Sequence, residues 1–218
     1  MRLVLAVNVG AAFGLAALAV PIVQLLFQYG RFNAGNCLAT SQLLVVFAVA
    51  MPFYAMISIV TRALNVAGQT KVTLIAAIHA LVVNAAGSFI AVWMGWGVLG
   101  LAAANAFSTV WQYLVLRHYL KKHAPEFLSE SLMKPAIQVF IGSLILAIIA
   151  FNGYSFLHNV LDGHLSPKFN LVVSMGVAGV MGMIFYAIYL DKLGYPERDL
   201  LRGYANKVLR FAGVQLKA

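Results

Sequence analysis

The sequence predicts an all-α polytopic membrane protein with six transmembrane helices and both termini in the cytoplasm. Three observations lead there. Of 218 residues, 62% are apolar and only 10% are charged, whereas a soluble domain is ~45–50% apolar and ~25% charged. The charged residues are spaced so that bilayer-length uncharged stretches lie between them. Finally, the basic residues sort almost entirely to one side of the resulting topology. A mean hydropathy of +0.89 agrees. Disorder, a nucleic-acid-binding domain and a typical cytosolic enzyme fit such a chain poorly, and the single cysteine, Cys37, excludes an internal disulfide or a multi-cysteine metal site.

Crossing a bilayer as a helix takes ~20 mostly apolar residues. Arg2 and Arg31 enclose 28 uncharged residues, which gives a first span near 3–27. It is too long, and too poor in a cleavage signal, for a removed signal peptide. The second span, near 38–60, lies in the 30 residues between Arg31 and Arg62. Lys71 to Arg117 encloses 45, enough for two spans near 72–94 and 98–117 divided at Gly95-Trp96-Gly97. The fifth and sixth spans, near 135–157 and 169–190, fill the intervals before Asp162 and Asp191. With six spans, 13 of the 15 Lys and Arg share the side of both termini, leaving Arg31 and Lys168 opposite. That asymmetry assigns the termini to the cytoplasm. Reading the 45-residue stretch as one helix would put the basic 117–134 loop and the tail outside.

The organisation expected is a four-helix part over 1–120, a cytoplasmic loop over 121–134, two final helices over 135–190 and a basic tail over 191–218. In the tail, Leu200, Leu201, Tyr204, Val208 and Phe211 share one helical face, with Arg198, Arg202, Lys207 and Arg210 on the rest of the circumference. This pattern suits a helix lying on an anionic phospholipid surface; the plain alternative is a solvated stop-transfer tail.

No Asp, Glu, Lys or Arg falls within a span, which argues against a carboxylate proton relay or a voltage sensor in this chain. The intramembrane polar groups are neutral. Asn105, Ser108, Thr109 and Gln112 form one stripe on the fourth span, and Asn84 and Ser88 are i, i+4 neighbours on the third. If these adjoining helices pack together, the two faces converge. Such groups either bond helices to each other or supply oxygens to a cation or a hydrated path, and the sequence leaves both open. His79 faces away from Asn84 and reads as a hydrogen-bonded interior histidine rather than a protonation switch. Pro21 and Pro52 are expected to kink the first two spans. The Gly10–Gly14 pair and the Gly176, Gly179, Gly182 series suit close helix approach within the chain. No metal-binding His pair, phosphate loop or nucleophilic trio is present, so no catalysis is expected. Cys37 is expected on the external side without a partner, while Glu126 and Glu130 balance charge in a basic loop.

Residues 21–32, PIVQLLFQYGRF, resemble the signature of the MurJ/MviN family of lipid II flippases. The likeness continues through TSQLLVVFAVAMPFYAMISIVTRALNVAGQTKVTLIAAIHALVVN, where Arg62–Ala67 and Gln69-Thr70-Lys71 stand at the family's "Arg-Ala-Phe-Tyr-Ala" turn and "Asp-Thr-Lys/Arg" loop, and Asn84 at its helix asparagine. GVLGLAAANAFSTVWQYLVL resembles the family's next helix. The loop Asp of the family is Gln69 here. Residues 10–120 carry the likeness; the last two spans match in position and hydropathy.

Several expectations follow from the resemblance. The family has fourteen spans and this chain resembles the last six, a partial, carboxyl-terminal flippase-type bundle in the bacterial inner membrane. It would work with an amino-terminal half that bears the arginines of the central cavity. Its substrate would be lipid II or a related polyprenyl-linked glycan, moved by alternating access, with the last two helices forming the groove for the lipid tail. No cofactor is implied beyond Na+, which some members hold; here Asn84 matches that site, while Ser88 stands for an acid and Asn105 for a Thr. The alternatives are half of another exporter of lipid-linked glycans or drugs in the same superfamily, and a non-transporting structural membrane module or gene remnant.

Overall fold

The computed structural model describes residues 1–28, 33–128 and 133–195. Arg31, Glu130 and the tail residues Arg198, Arg202, Lys207 and Arg210 lie outside the described residues. The described residues are almost wholly helical: α1 (Arg2–Ala17), α2 (Ala19–Phe27), α3 (Ala34–Val66), α4 (Thr70–Trp93), α5 (Gly97–His123), α6 (Met133–Val160) and α7 (Pro167–Lys192), with a short 3-10 turn at Pro125–Leu128. Five of these, α3 to α7, are long and apolar enough to cross a membrane. The bent pair α1 and α2 makes a sixth span if taken as one.

That bend is sharp. α1 and α2 differ in direction by 68° across Leu18, three residues before Pro21. Proline has no N–H to give the carbonyl four residues back, here Ala17, and its ring crowds that carbonyl. The helix therefore yields at Ala17–Leu18, and Ile22 N–H resumes the pattern by donating to Leu18 O at 3.0 Å. Pro52, by contrast, lies inside an unbroken α3.

Helix ends overrun the apolar windows. α3 has 33 residues instead of the 23 expected over 38–60, about 50 Å of helix at 1.5 Å per residue. Hydropathy marks the bilayer-immersed part, whereas a helix persists until a cap stops it. Asn33 starts α3 by accepting the Asn36 N–H at 2.9 Å. α5 runs on to His123, so the link to α6 is shorter than the loop expected over 121–134; Lys121, Lys122 and His123 occupy its last turn, where cations complement the helix dipole. The turn between α4 and α5 falls at Gly95-Trp96-Gly97 as expected. Both glycines have left-handed φ, +71° and +61°, and Trp96 N–H closes the end of α4 on Ala91 O at 2.9 Å.

The spans pack in the order α4, α5, α3, α1, α6, α7, and α2 crosses to touch α3 and α7. α1 is thus central, flanked by α3 and α6, and joins the first four spans to the last two in one bundle. Small residues set the close approaches. A Cβ at Gly10 would lie 2.9 Å from the Tyr186 ring, one at Gly182 would lie 3.2 Å from Leu146 O, and Gly87 faces Ala104. Gly176 has nothing within 4 Å. Two buried clusters sit at the end of the bundle that carries Met1. Val60, Leu64, Val72, Ala76, Leu116 and Leu120 form one, and Ala6, Val139, Leu190 and Tyr195 form the other. Tyr195, fully buried, closes this end by donating its hydroxyl to Arg2 O at 2.8 Å, while Tyr186 donates to Ala6 O at 2.8 Å.

Candidate functional site

The polar groups of α4 and α5 are held by local geometry. On α4, Ser88 Oγ donates to Asn84 Oδ1 at 3.2 Å. On α5, Ser108 and Thr109 turn their hydroxyls back on the Asn105 carbonyl, at 2.8 Å and 2.9 Å. This is how hydroxyls satisfy themselves inside an apolar helix. Both residues are buried, while Gln112 is half-buried.

The Asn105 side chain looks to α3, not α4. Its Oδ1 accepts the Tyr54 hydroxyl at 2.6 Å. α4 and α5 meet instead on a smooth ridge, Gly87 against Ala104 and Ala91 against Gly100, and no hydrogen bond among the described residues joins the Asn84–Ser88 pair to the Asn105 stripe. Sequence reasoning missed Tyr54. A phenol inside a span needs a partner for its hydroxyl, and that requirement was the available signal.

For a cation, the arrangement offers amide and hydroxyl oxygens alone. Asn105 Oδ1 is engaged by Tyr54, and the two hydroxyls beside it face a backbone carbonyl. Among the described residues no three His, Cys, Asp or Glu side chains gather as a metal site. Cys37 is buried without a disulfide, and its carbonyl accepts the Ser41 hydroxyl at 2.8 Å. His79 is not interior: it lies on the exposed side of α4. That helix packs mainly on α5, through Ala76, Gly87 and Ala91, which leaves the histidine uncovered.

An apolar cavity of about 390 Å³ opens between α1, α3, α5 and α6, lined by Val9, Phe13, Pro52, Met56, Tyr113 and Phe140 among others. Edge-to-face rings flank it, Phe13 on Phe140 at 5.4 Å and Phe53 on Tyr113 at 5.9 Å. It adjoins α3 at Pro52, where the missing N–H leaves the Ala48 carbonyl without its helical donor. α3 thus has its weakest backbone ladder next to unfilled space. α6 and α7 are pressed together by Gly142 under Tyr189, Gly153 on Ala178 and Gly182 on Leu146. Their outer faces expose Ile148, Phe151, Ile184 and Ile188.

Comparison with known proteins fits this architecture. The family model described as lipid II flippase MurJ matches residues 1–172. The lipid II flippase MurJ of Thermosipho africanus is 24% identical over 187 residues, covering 85% of this chain and 36% of that protein. A probable lipid II flippase MurJ of Haemophilus influenzae is 30% identical over 151 residues, covering 69% of this chain and 28% of that protein. A solved structure of a lipid II flippase MurJ in an inward closed conformation superposes with a TM-score of 0.66 at 22% identity. It covers 87% of this chain and 37% of that one, and shows the same fold. The chain spans about a third or less of the length of these relatives. With a family match over most of its length, the chain belongs to the MurJ family of lipid II flippases.

Proposed function

We propose that this chain is the carboxyl-terminal part of a lipid II flippase, which moves the undecaprenyl-linked peptidoglycan precursor outward across the bacterial inner membrane by alternating access. The observation that carries the proposal is the family match over residues 1–172. An amino-terminal half would supply the charged cavity for the pyrophosphate, since no ionised side chain lies inside a span of this chain. The lipid tail would run along the apolar outer faces of α6 and α7.

The orientation has support in the helix directions. They bring Arg2, Arg62, Lys71, Arg117, Lys121, Lys122, Lys134 and Lys192 to one end of the bundle. That end faces the cytoplasm by the basic-residue rule, where a tail rich in Lys and Arg would favour an anionic leaflet. Motion would use the two proline positions: the break before Pro21, and Pro52 beside the cavity. The Asn84–Ser88 and Asn105–Thr109 groups serve helix packing, for which the Tyr54–Asn105 bond is the supporting observation.

The test is complementation. In a bacterium depleted of its flippase, the chain is expressed alone and together with the preceding reading frame. Growth with intact peptidoglycan is expected from the pair and not from the chain alone. Failure of both, with both inserted in the membrane, contradicts the proposal.

A further inference from the structure

We propose that the apolar cavity between α1, α3, α5 and α6 is a binding site for one acyl chain of a bilayer phospholipid, drawn from the leaflet at the basic end of the bundle. Two helical stripes make most of its lining. Leu5, Val9, Ala12 and Ala16 run along α1, and Val49, Pro52 and Met56 along α3, each set spaced three or four residues apart on one face. α1 forms the floor, because α3 and α6 flank it. Val49 on α3 and Phe140 on α6 form the lips, 59% and 56% exposed, so the cavity opens sideways from the bundle.

Width and depth select the guest. From Leu5 to Ala16 the stripe on α1 is about 16 Å long at 1.5 Å per residue. Spread over that length, the volume of about 390 Å³ gives a mean cross-section of about 24 Å², some 5 Å across. An α-helix with its side chains needs ~10–12 Å, so a helix from another segment does not fit. A hydrocarbon chain is one carbon wide and packs at carbon contacts of ~3.5–4.0 Å. An unbranched chain suits this width better than a prenyl chain, whose methyl branches recur in every unit. An apolar cavity of ~150 Å³ holds one benzene, and by that measure this one holds a chain of about fifteen carbons. The stripe begins one turn inside Arg2, and its length matches one leaflet, half of a ~30 Å hydrocarbon core.

The chemistry of the lining agrees. Tyr113 carries the one polar side-chain group among the lining residues, too few to hold water, which needs two to four polar partners. Left unfilled, the walls forgo dispersion contacts, and the edge-to-face pairs Phe13–Phe140 and Phe53–Tyr113 brace them against closing. Charge complements the other end of the guest. Arg117 lies one helical turn beyond Tyr113, on the same face of α5 and towards the basic end, and it is exposed. A chain seated in the cavity brings its phosphate to that level, where bonds from the guanidinium are charge-assisted.

Photolabelling tests the site. The full chain is reconstituted in phosphatidylcholine vesicles that contain a phosphatidylcholine bearing a diazirine midway along an unbranched acyl chain. After illumination the labelled peptides are mapped by mass spectrometry, and a farnesyl diazirine serves as the branched comparison. Adducts are expected on Val9, Phe13 or Met56 inside the cavity as well as on Phe151 and Ile184 of the outer faces. Val9→Phe and Ala16→Leu, which fill the space from its floor, should lose the cavity adducts and keep the outer ones, so the outer adducts report that each variant is folded. Arg117→Gln should lower cavity labelling at limiting probe by up to about tenfold, the loss of one charge-assisted contact. Adducts on the outer faces alone, as when a helix or a second copy of the chain fills the space, overturn the proposal. So does cavity labelling by the farnesyl probe only, or labelling in all three variants equal to the wild type.

Discussion

Gly142 is the position where a single methyl group tests the packing of the bundle most sharply. A Cβ built there would sit 2.7 Å from Tyr189 Cδ1, 2.8 Å from Tyr189 Cε1 and 3.1 Å from Tyr186 Cε2. Ordinary carbon contacts are ~3.5–4.0 Å, so both rings must retreat by several tenths of an ångström. Tyr186 resists because its hydroxyl is bonded to Ala6 O on α1; moving the ring strains the α1–α7 contact as well as α6–α7. Overpacking of this kind costs about 1–3 kcal/mol. Replacing glycine by alanine in a helix returns up to ~1 kcal/mol through propensity. With two rings to displace, the overpacking cost falls in the upper part of that range, about 2–3 kcal/mol, so Gly142→Ala is expected to lose about 1–2 kcal/mol net. Gly176→Ala, with nothing within 4 Å, receives only the propensity term and should be neutral or slightly more stable. The assay is equilibrium unfolding in mixed dodecyl sulfate and maltoside micelles, followed by circular dichroism and by the thiol reactivity of buried Cys37. Gly142→Ala at wild-type stability, or Gly176→Ala as damaging as Gly142→Ala, would refute the packing described for α6 and α7.

Other expectations concern the polar stripe, the helix break and the topology. Tyr54→Phe and Asn105→Leu should each cost about 1 kcal/mol and show a coupling of ~0.6–1 kcal/mol in a double-mutant cycle; additive effects in the same unfolding assay would mean that the two side chains do not bond. Pro21→Ala restores the N–H for Ala17 O and should reduce the 68° bend, read as a longer spin-label distance between the start of α1 and the end of α2; an unchanged distance would place the cause in tertiary packing instead. In cells, a cysteine at Lys121 should react with a membrane-impermeant maleimide only after lysis and one at Asp162 before it, in a Cys37→Ser background. The reverse pattern would invert the assigned orientation.

The span count and the shared end of the basic residues were readable because charge and hydropathy report directly on immersion. The neighbour order was not readable. Spans such as α4 and α7 are apolar around most of their circumference, so periodicity picks no packing face, and only small residues such as Gly10 and Gly182 mark where backbones approach. The α4–α5 turn was legible from Gly95 and Gly97, whose left-handed φ other residues rarely adopt. At Pro21 the sequence marked a kink, and the proline's missing N–H sets it at Ala17–Leu18, while its 68° size could not be read from the sequence. The polar stripe was visible from its spacing, yet its partner was not: Tyr54 lies 51 residues from Asn105, and nothing local links them.

Whether this chain works as one part of a lipid II flippase, as proposed, is decided by following lipid II itself. In cells depleted of the resident flippase, the fraction of lipid II accessible to a reagent added outside the inner membrane is measured with the chain alone and with the chain plus the product of the preceding reading frame. Exposure at the background level is expected for the chain alone, and recovery to the level of undepleted cells for the pair. Background exposure with both segments present and inserted would contradict it.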